Sequence, residues 1–294
     1  MPNKGNNTAL KASEREAFIS LVWEMGKAHA RNDLPWRYIG DPYAVYVSEV
    51  MLQQTQVTRV LKFWPAWMKA FPTIDALAAA STADVLERWQ GLGYNRRALS
   101  LKRSAEICAA EYAGSMPQSQ QELEALPGVG PATAAGIQAF AYEKPAVYIE
   151  TNVRAVFIHH FFAESTEKVS DKQLYPLVEA TCSREEPRAW YYALLDYGAH
   201  LKKSIPNPSR RAAAYSRQSA FEGSVRQKRS FLLREVLAHP GISCAALEDL
   251  LNTEERAAGR EELDSASVLD LLKQLECEGF FTITDNICMI DPNY

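Results

Sequence analysis

The chain has 294 residues, 47% apolar and 23% charged, a globular composition with room for two domains or one large domain and an appendage. No apolar run approaches the roughly 20 residues needed to span a bilayer, and the polar start "MPNKGNNTALKASEREAF" lacks the apolar segment of a secretory signal, so a cytoplasmic protein without a membrane partner is expected. The net charge of −4 excludes a uniformly basic nucleic-acid binder, and five scattered cysteines with no C-x-x-C pair argue against a disulfide framework or zinc ribbon.

In chain order, "SEREAFISLVWEMGKAHA" predicts a helix with Phe18, Val22, Met25 and Ala28 at three-to-four spacing, behind a Ser13 cap with Glu16 three residues on. "LPWRYIGDPY" is a Pro- and Gly-punctuated loop. "AVYVSEVMLQQTQVTRVLKFWPAWMKAF" returns to helix, with a break expected at Pro65. "TIDALAAASTADVLERWQGLG" gives two short helices, the second capped by Ser81 or Thr82. "RRALSLKRSAEICAAEYAG" is amphipathic and ends before Gly114. "SQQELEALPGVGPATAAGIQAFAY" reads as helix, tight turn, helix, and "RAWYYALLDYGAHLKK" as a further helix. The adjacent His159 and His160 do not share a helix face, so no metal site is expected there.

Charge is unevenly spread. Lys202, Lys203, Arg210, Arg211, Arg217, Arg226, Lys228, Arg229 and Arg234 form a basic belt opposed only by Glu222, while the compensating acids lie mainly in the last sixty residues. The expected organisation is an N-terminal tail 1–14, a helical domain 15–203, a basic linker 204–225 and a C-terminal module 226–294. In that module three helices precede two short strands around Asp285 and Asn286, an order that suggests a winged helix. Its third helix carries Asp270, Glu276 and Glu278, the wrong charge for a helix that enters a DNA groove, so a protein partner is expected instead.

Two segments could carry chemistry. In "LPGVGPATAAGI" the pair Gly128 and Gly130 brackets Val129 in a tight turn, and the following helix opens with free N–H groups that suit a phosphate. An ordinary helix–helix turn would look the same. In "SEVMLQQTQV" the helical position of Glu49 sets its carboxyl against Val45 and Leu52, which raises its pKa and suits a general acid, while Gln53, Gln54 and Gln56 offer amides to base edges. A solvated helix face is the alternative. Likewise "VYIETNVRAV" halts an apolar run on Glu150, either as a chain reversal facing water or as half of a catalytic pair.

The four blocks "DPYAVYVSEVMLQQTQV", "WQGLGYNRRA", "LPGVGPATA" and "NVRAV", in this order, resemble the helix-hairpin-helix DNA glycosylases, specifically the adenine DNA glycosylases of the MutY type, over roughly residues 15 to 203. The resemblance implies a mainly α, two-lobed fold, a monomer that works on double-stranded DNA at the nucleoid, and an adenine flipped out of the duplex. Glu49 matches the acid that protonates the base, and Glu150 stands where the family has an aspartate that stabilises the sugar cation. Asn152 matches an asparagine that orders the site. Trp36, Arg37, Tyr192 and Asp196 match positions around the base. Gln53, Gln54, Tyr94, Asn95 and Arg96 match duplex contacts, with Gln54 as the wedge. Gly128, Val129 and Gly130 match the hairpin that grips the DNA backbone, with room for a monovalent cation on the backbone near the two glycines and no side-chain metal ligand. Lys202, Lys203, Arg210 and Arg211 of the basic belt are expected to add phosphate contacts.

The sequence departs from this pattern in defined places. Glu150 adds a methylene that moves the carboxylate by about 1.5 Å if nothing else adjusts. The related lyases use a hairpin lysine as an amine nucleophile where this chain has Ala132, which implies a monofunctional enzyme. The region after "LLDYGA", where the family holds an iron–sulfur cluster on four cysteines, contains no cysteine up to residue 225, so no cluster and no other cofactor is expected. Asn95 replaces a second tyrosine that the family inserts beside the opposite oxidised guanine, so specificity for adenine opposite 8-oxoguanine does not follow. Tyr192 replaces a glutamine near the base, either as core packing or as a pocket wall that adds a modified purine such as N6-methyladenine or hypoxanthine to the expected targets. Two rivals remain: a catalytically silent DNA-binding or damage-sensing protein, and a thymine or uracil mismatch glycosylase on the same fold.

Overall fold

The computed structural model describes residues 10–290. Of the expected tail 1–14, residues 1–9 lie outside the described residues, as do the last four of the C-terminal module. Chain packing resolves two compact units: the chain up to Glu49 with Met116–Arg217, and Val50–Ser115 with the chain from Gln218 onward. Among the described residues no helix is long and apolar enough to cross a membrane.

The first unit is helical. It contains α1 (Ala12–Ala28), most of α2 (Pro42–Leu52), α7 (Gln120–Ala125), α8 (Pro131–Phe140), α9 (Thr151–Phe161), α10 (Asp171–Thr181) and α11 (Pro187–Ser204). α1 buries Phe18, Val22 and Gly26 on one stripe. It enters the helix at Ala12 from an extended Lys11, so Ser13 lies within the first turn rather than capping it. α9 is the centre of the core: Val153, Val156, Phe157 and Ile158 are fully buried against Trp190, Tyr191 and Leu194 of α11. Two glycines bring these helices close. A Cβ on Gly26 would fall 2.4 Å from the Cβ of Ala193, and one on Gly198 would fall 2.4 Å from the carbonyl oxygen of Asn152. Within the stretch expected as a linker, Pro208–Arg211 form a 3-10 turn, and a parallel bridge from Val169 to Ala212 ties it to this unit. The bridge is made by Val169 N donating to Arg211 O at 2.9 Å and Ala213 N to Val169 O at 2.7 Å.

The second unit contains the end of α2, α3 (Val57–Ala70), α4 (Ile74–Ala79), α5 (Thr82–Trp89) and α6 (Arg96–Glu111), followed after Gln218 by α12 (Val225–Ala238), α13 (Cys244–Ala257) and α14 (Ser265–Cys277). The expected break at Pro65 is absent, since Pro65 lies inside a continuous α3. A mid-helix proline costs about 3 kcal/mol, and the burial of Val60, Trp64 and Trp67 along one face of α3 offsets it. The chain breaks instead at Gln54, whose φ of 53° ends α2. Ser81 caps α5 by accepting from Asp84 N, and Ser243 caps α13 by accepting from Ala246 N.

The last segment runs α12, β1 (Ile242–Ser243), α13, α14, β2 (Thr282–Thr284) and β3 (Ile287–Met289), with antiparallel strand order β1-β3-β2. Asp285 and Asn286 both take positive φ, which makes a two-residue hairpin loop of the right twist. Leu232, Val236, Leu247, Leu251, Val268 and Leu272 pack between the three helices. Glu255, 1% exposed, is held there by Lys228 and Arg260.

Candidate active site

Glu49 lies near the end of α2, a helix apolar on nearly all sides, with Val45, Tyr46 and Val47 buried. One polar contact reaches its carboxyl within the first unit: the Tyr148 hydroxyl donates to Oε2 at 3.1 Å. α8 passes so close that a Cβ on Gly136 would fall 2.6 Å from the same oxygen. Burial pushes the Glu49 pKa up to about 8, the Tyr148 bond pulls against it, and the nearby Glu150 adds to the rise. At neutral pH this side chain carries a proton.

Glu150 caps α9. Its backbone is extended (φ −120°, ψ −176°), and its Oε1 accepts from Asn152 N at 2.5 Å and Val153 N at 3.0 Å. Caps are normally shorter residues; here the extra methylene is taken up by folding the carboxylate back over the helix start. Burial raises the Glu150 pKa, while Lys202 of α11, the two N–H groups and the Asn152 side chain oppose the rise. The Oδ1 atom of Asn152 is buried without a hydrogen-bond partner. Lys202 has its own pKa lowered by burial, an effect Glu150 counters.

A third group surrounds Asp196 of α11, which is 3% exposed. Its carboxylate accepts from Arg37 Nη1 and Nη2 at 2.7 Å each, from Arg31 Nε at 2.5 Å and from Arg31 N at 3.1 Å. Burial alone would raise its pKa, but the two guanidiniums outweigh burial and hold it below the ordinary value. The carboxylate thus serves as an arginine clamp, with its oxygens already engaged. The Arg37 guanidinium lies 4.5 Å from the centre of the Tyr192 ring, and Tyr192 stacks on Phe140 at 4.8 Å and 7°. Trp36, beside Arg37, is buried.

The hairpin joins α7, capped reciprocally by Ser119 and Glu122, to α8, which opens on Pro131. Gly128 has φ +75°, Val129 is buried, and a Cβ at Gly130 would meet nothing within 4 Å, so backbone is accessible there. Of the basic residues expected to contact phosphate, Lys203 and Arg210 are exposed. Arg211 instead donates to the carbonyls of Phe162, Ala163 and Ser165 beyond the end of α9.

In the second unit, Gln53 and Gln54 form the turn after α2, and Tyr94 and Asn95 precede α6. Gln218 Nε2 donates to Gln54 Oε1 at 3.1 Å and to the Tyr94 hydroxyl at 2.8 Å, and Arg226 donates to that hydroxyl at 3.1 Å. Arg96 is exposed and lies 3.9 Å from Glu278. A groove of about 1150 Å³ runs past Gln53, Gln54, Arg59, Tyr94, Arg226 and Arg229.

Residues 47–179 match the family model described as HhH-GPD superfamily base excision DNA repair protein. An adenine DNA glycosylase of Mycolicibacterium smegmatis is 46% identical over 129 residues, 44% of this chain and 44% of that protein. An adenine DNA glycosylase of Homo sapiens is 34% identical over 180 residues, 58% of this chain and 33% of that protein. The chain spans less than half the length of the curated relatives it matches first. Among solved structures, a thermostable thymine-DNA glycosylase superposes with a TM-score of 0.58 at 26% identity, over 63% of this chain and 86% of the other. Endonuclease III in a non-covalent DNA complex superposes with a TM-score of 0.56 at 18% identity, over 69% and 99%. The fold is that of the helix-hairpin-helix DNA glycosylases.

Sequence reasoning missed four residues that pack around these side chains: Tyr148, Gly136, Gly198 and Arg31. Tyr148 stands two residues before Glu150, yet nothing local marks it, because its partner is 99 residues away. Arg31 reaches Asp196 across 165 residues. Residues 199–225 contain no cysteine, and among the described residues no group of three or more His, Cys, Asp or Glu side chains is placed to hold a metal ion.

Proposed function

We propose that this protein is a monofunctional DNA glycosylase that hydrolyses the N-glycosidic bond of a flipped adenine, or of a modified adenine such as N6-methyladenine or hypoxanthine, in duplex DNA. The observation that carries the reading is the protonated Glu49, with its pKa near 8, beside Glu150, whose pKa burial also raises but whose carboxylate two backbone N–H groups and Lys202 support. Two carboxyls with different surroundings divide the labour of acid and charge stabiliser. Glu49 protonates a ring nitrogen of the extruded base as the bond to C1′ breaks and its electron pair leaves with the base. The cationic sugar forms against the Glu150 carboxylate. Water then adds to C1′ and releases a proton. Asn152 orders the start of α9, and Arg37, held by Asp196, forms with Tyr192 and Trp36 the wall against which a purine would stack.

The hairpin at Gly128–Gly130 offers backbone N–H groups to phosphate, and a monovalent cation is compatible with its exposed backbone. Lys203 and Arg210 add cationic contacts, and Gln54 and Tyr94 enter the duplex beside the vacated base. Ala132 supplies no amine, so no Schiff-base lyase step follows base release. The segment 226–294, with its acidic α14, is read as a winged-helix-like module that meets a protein partner. DNA as substrate would place the enzyme at the nucleoid.

A mismatched thymine is the second reading, favoured by the 26% identity to a thymine-DNA glycosylase. A single-turnover panel separates the two. Duplexes carrying adenine, N6-methyladenine, hypoxanthine or mismatched thymine, opposite each normal base and opposite 8-oxoguanine, are treated with alkali to reveal abasic sites. Release of an adenine derivative supports the proposal; release of thymine alone supports the second reading. No release from any duplex, with DNA binding intact, would make the protein a silent binder.

A further inference from the structure

Arg96 and Arg97 are neighbours with opposite fates. Arg96 is exposed, whereas Arg97 is 9% exposed and enters the second unit. Its Nη1 donates to the carbonyls of Val50 at 2.8 Å, Met51 at 3.0 Å and Gln53 at 2.7 Å. These belong to the open C-terminal end of α2, where the helix dipole favours a cation. Its Nη2 donates to the carbonyls of Leu92 at 3.3 Å and Gly93 at 2.8 Å and to the Thr55 hydroxyl at 3.1 Å, and its Nε reaches the Tyr94 carbonyl at 3.4 Å. The guanidinium also lies 5.1 Å from the Trp89 ring centre. Burial lowers its pKa to about 10, so it stays charged at neutral pH.

The two segments joined in this way share an unusual feature. Each carries one non-glycine residue in the left-handed region, Gln54 at φ 53° and Tyr94 at φ 49°. That conformation costs an L-residue about 1–2 kcal/mol, and it persists only where surrounding contacts over-determine it. Arg97 supplies such contacts on both sides: Gln53 and Thr55 flank Gln54, while Gly93 and the carbonyl of Tyr94 itself fix the second turn.

We propose that Arg97 is the positioning residue of the duplex wedge, one buried guanidinium that locks the Gln54 turn and the Tyr94 turn together so that both side chains are presented as a single rigid pair. This rests on the reading of Gln54 and Tyr94 as the residues that enter DNA. Lysine cannot substitute, because a point charge with three donors cannot span the two sets of carbonyls that a planar fork serves at once.

The test measures single-turnover release from two duplexes of the same sequence, one with the target adenine in a mismatch and one with it opposite an abasic site. Only the first has a partner base to displace. Arg97→Lys is expected to slow release from the mismatch about tenfold more than from the abasic-opposed duplex, as a wedge misplaced by a fraction of an ångström would. Equal slowing on both, the signature of a merely structural role, overturns the inference, as does no slowing on either. Thr55→Val, which removes the one side-chain acceptor, is expected to give the same differential at a smaller size and serves if the lysine variant does not fold. 2-Aminopurine placed beside the target reports insertion independently of chemistry. Loss of its fluorescence rise in Arg97→Lys supports the inference and an unchanged rise contradicts it, even if the wild-type protein releases no base and the glycosylase reading falls.

Discussion

Glu49 and Asp196 are carboxyls of the same unit, the first partly and the second fully buried, and they have been driven in opposite directions. Asp196 accepts four hydrogen bonds from Arg31 and Arg37 and is held ionised. Glu49 receives one hydroxyl and is held protonated to about pH 8. Burial acts on both in the same sense, and partners decide the outcome. A buried carboxyl with its full complement of cations is architecture, whereas one left short of donors is a stored proton. In this chain the stored proton is the one on "SEVMLQQTQV".

Breaking each half of the comparison should give distinct phenotypes. The largest effect is expected for Glu49→Gln, which keeps the shape and removes the acid: base release under single turnover should fall by about 10³-fold or more, with DNA affinity retained in a binding assay. Asp196→Asn should do the reverse, leaving two arginines short of their counter-charge and lowering the unfolding free energy by about 3–5 kcal/mol in a denaturant titration. Gly198→Ala sharpens the comparison by moving the stage rather than the actors. Its Cβ would fall 2.4 Å from the Asn152 carbonyl oxygen, so the start of α9 must shift and carry Glu150 with it. A loss of about 10–100-fold in release rate is expected. The smallest effect belongs to Tyr148→Phe. The Tyr148 hydrogen bond lowers the Glu49 pKa, so its removal should move the alkaline limb of the pH–rate profile upward by a fraction of a pH unit with little change in the plateau.

Local signals in the sequence were reliable where the physics is local. The Ser81 cap, the Gly128–Gly130 turn and the Asp285–Asn286 hairpin are each decided by a few neighbouring residues, although the Ser13 cap gave way to a helix that starts at Ala12, one residue before it. Pro65 misled because the burial of Trp64 and Trp67 offsets a proline cost that a reading of α3 in isolation leaves unopposed. For Glu150 both readings of its segment apply to one side chain: it reverses the chain as the cap of α9, and it sits among Lys202, Asn152 and Glu49. Its position was legible, whereas the accommodation of its extra methylene was not, since that depends on the backbone path into α9. Arg97 shows the same limit. Beside Arg96 it is indistinguishable in sequence, and only the carbonyls of Val50, Met51 and Gln53, more than forty residues away, give it a role.

The most direct test of the central claim is the pH dependence of single-turnover base release from pH 6 to 10 on the best substrate of the panel, with Glu49→Gln alongside. A group that must be protonated and titrates near 8 predicts a plateau below that pH and a fall of about tenfold per unit above it, with the variant inactive throughout. A profile flat through pH 9, or release that survives Glu49→Gln, would contradict the account.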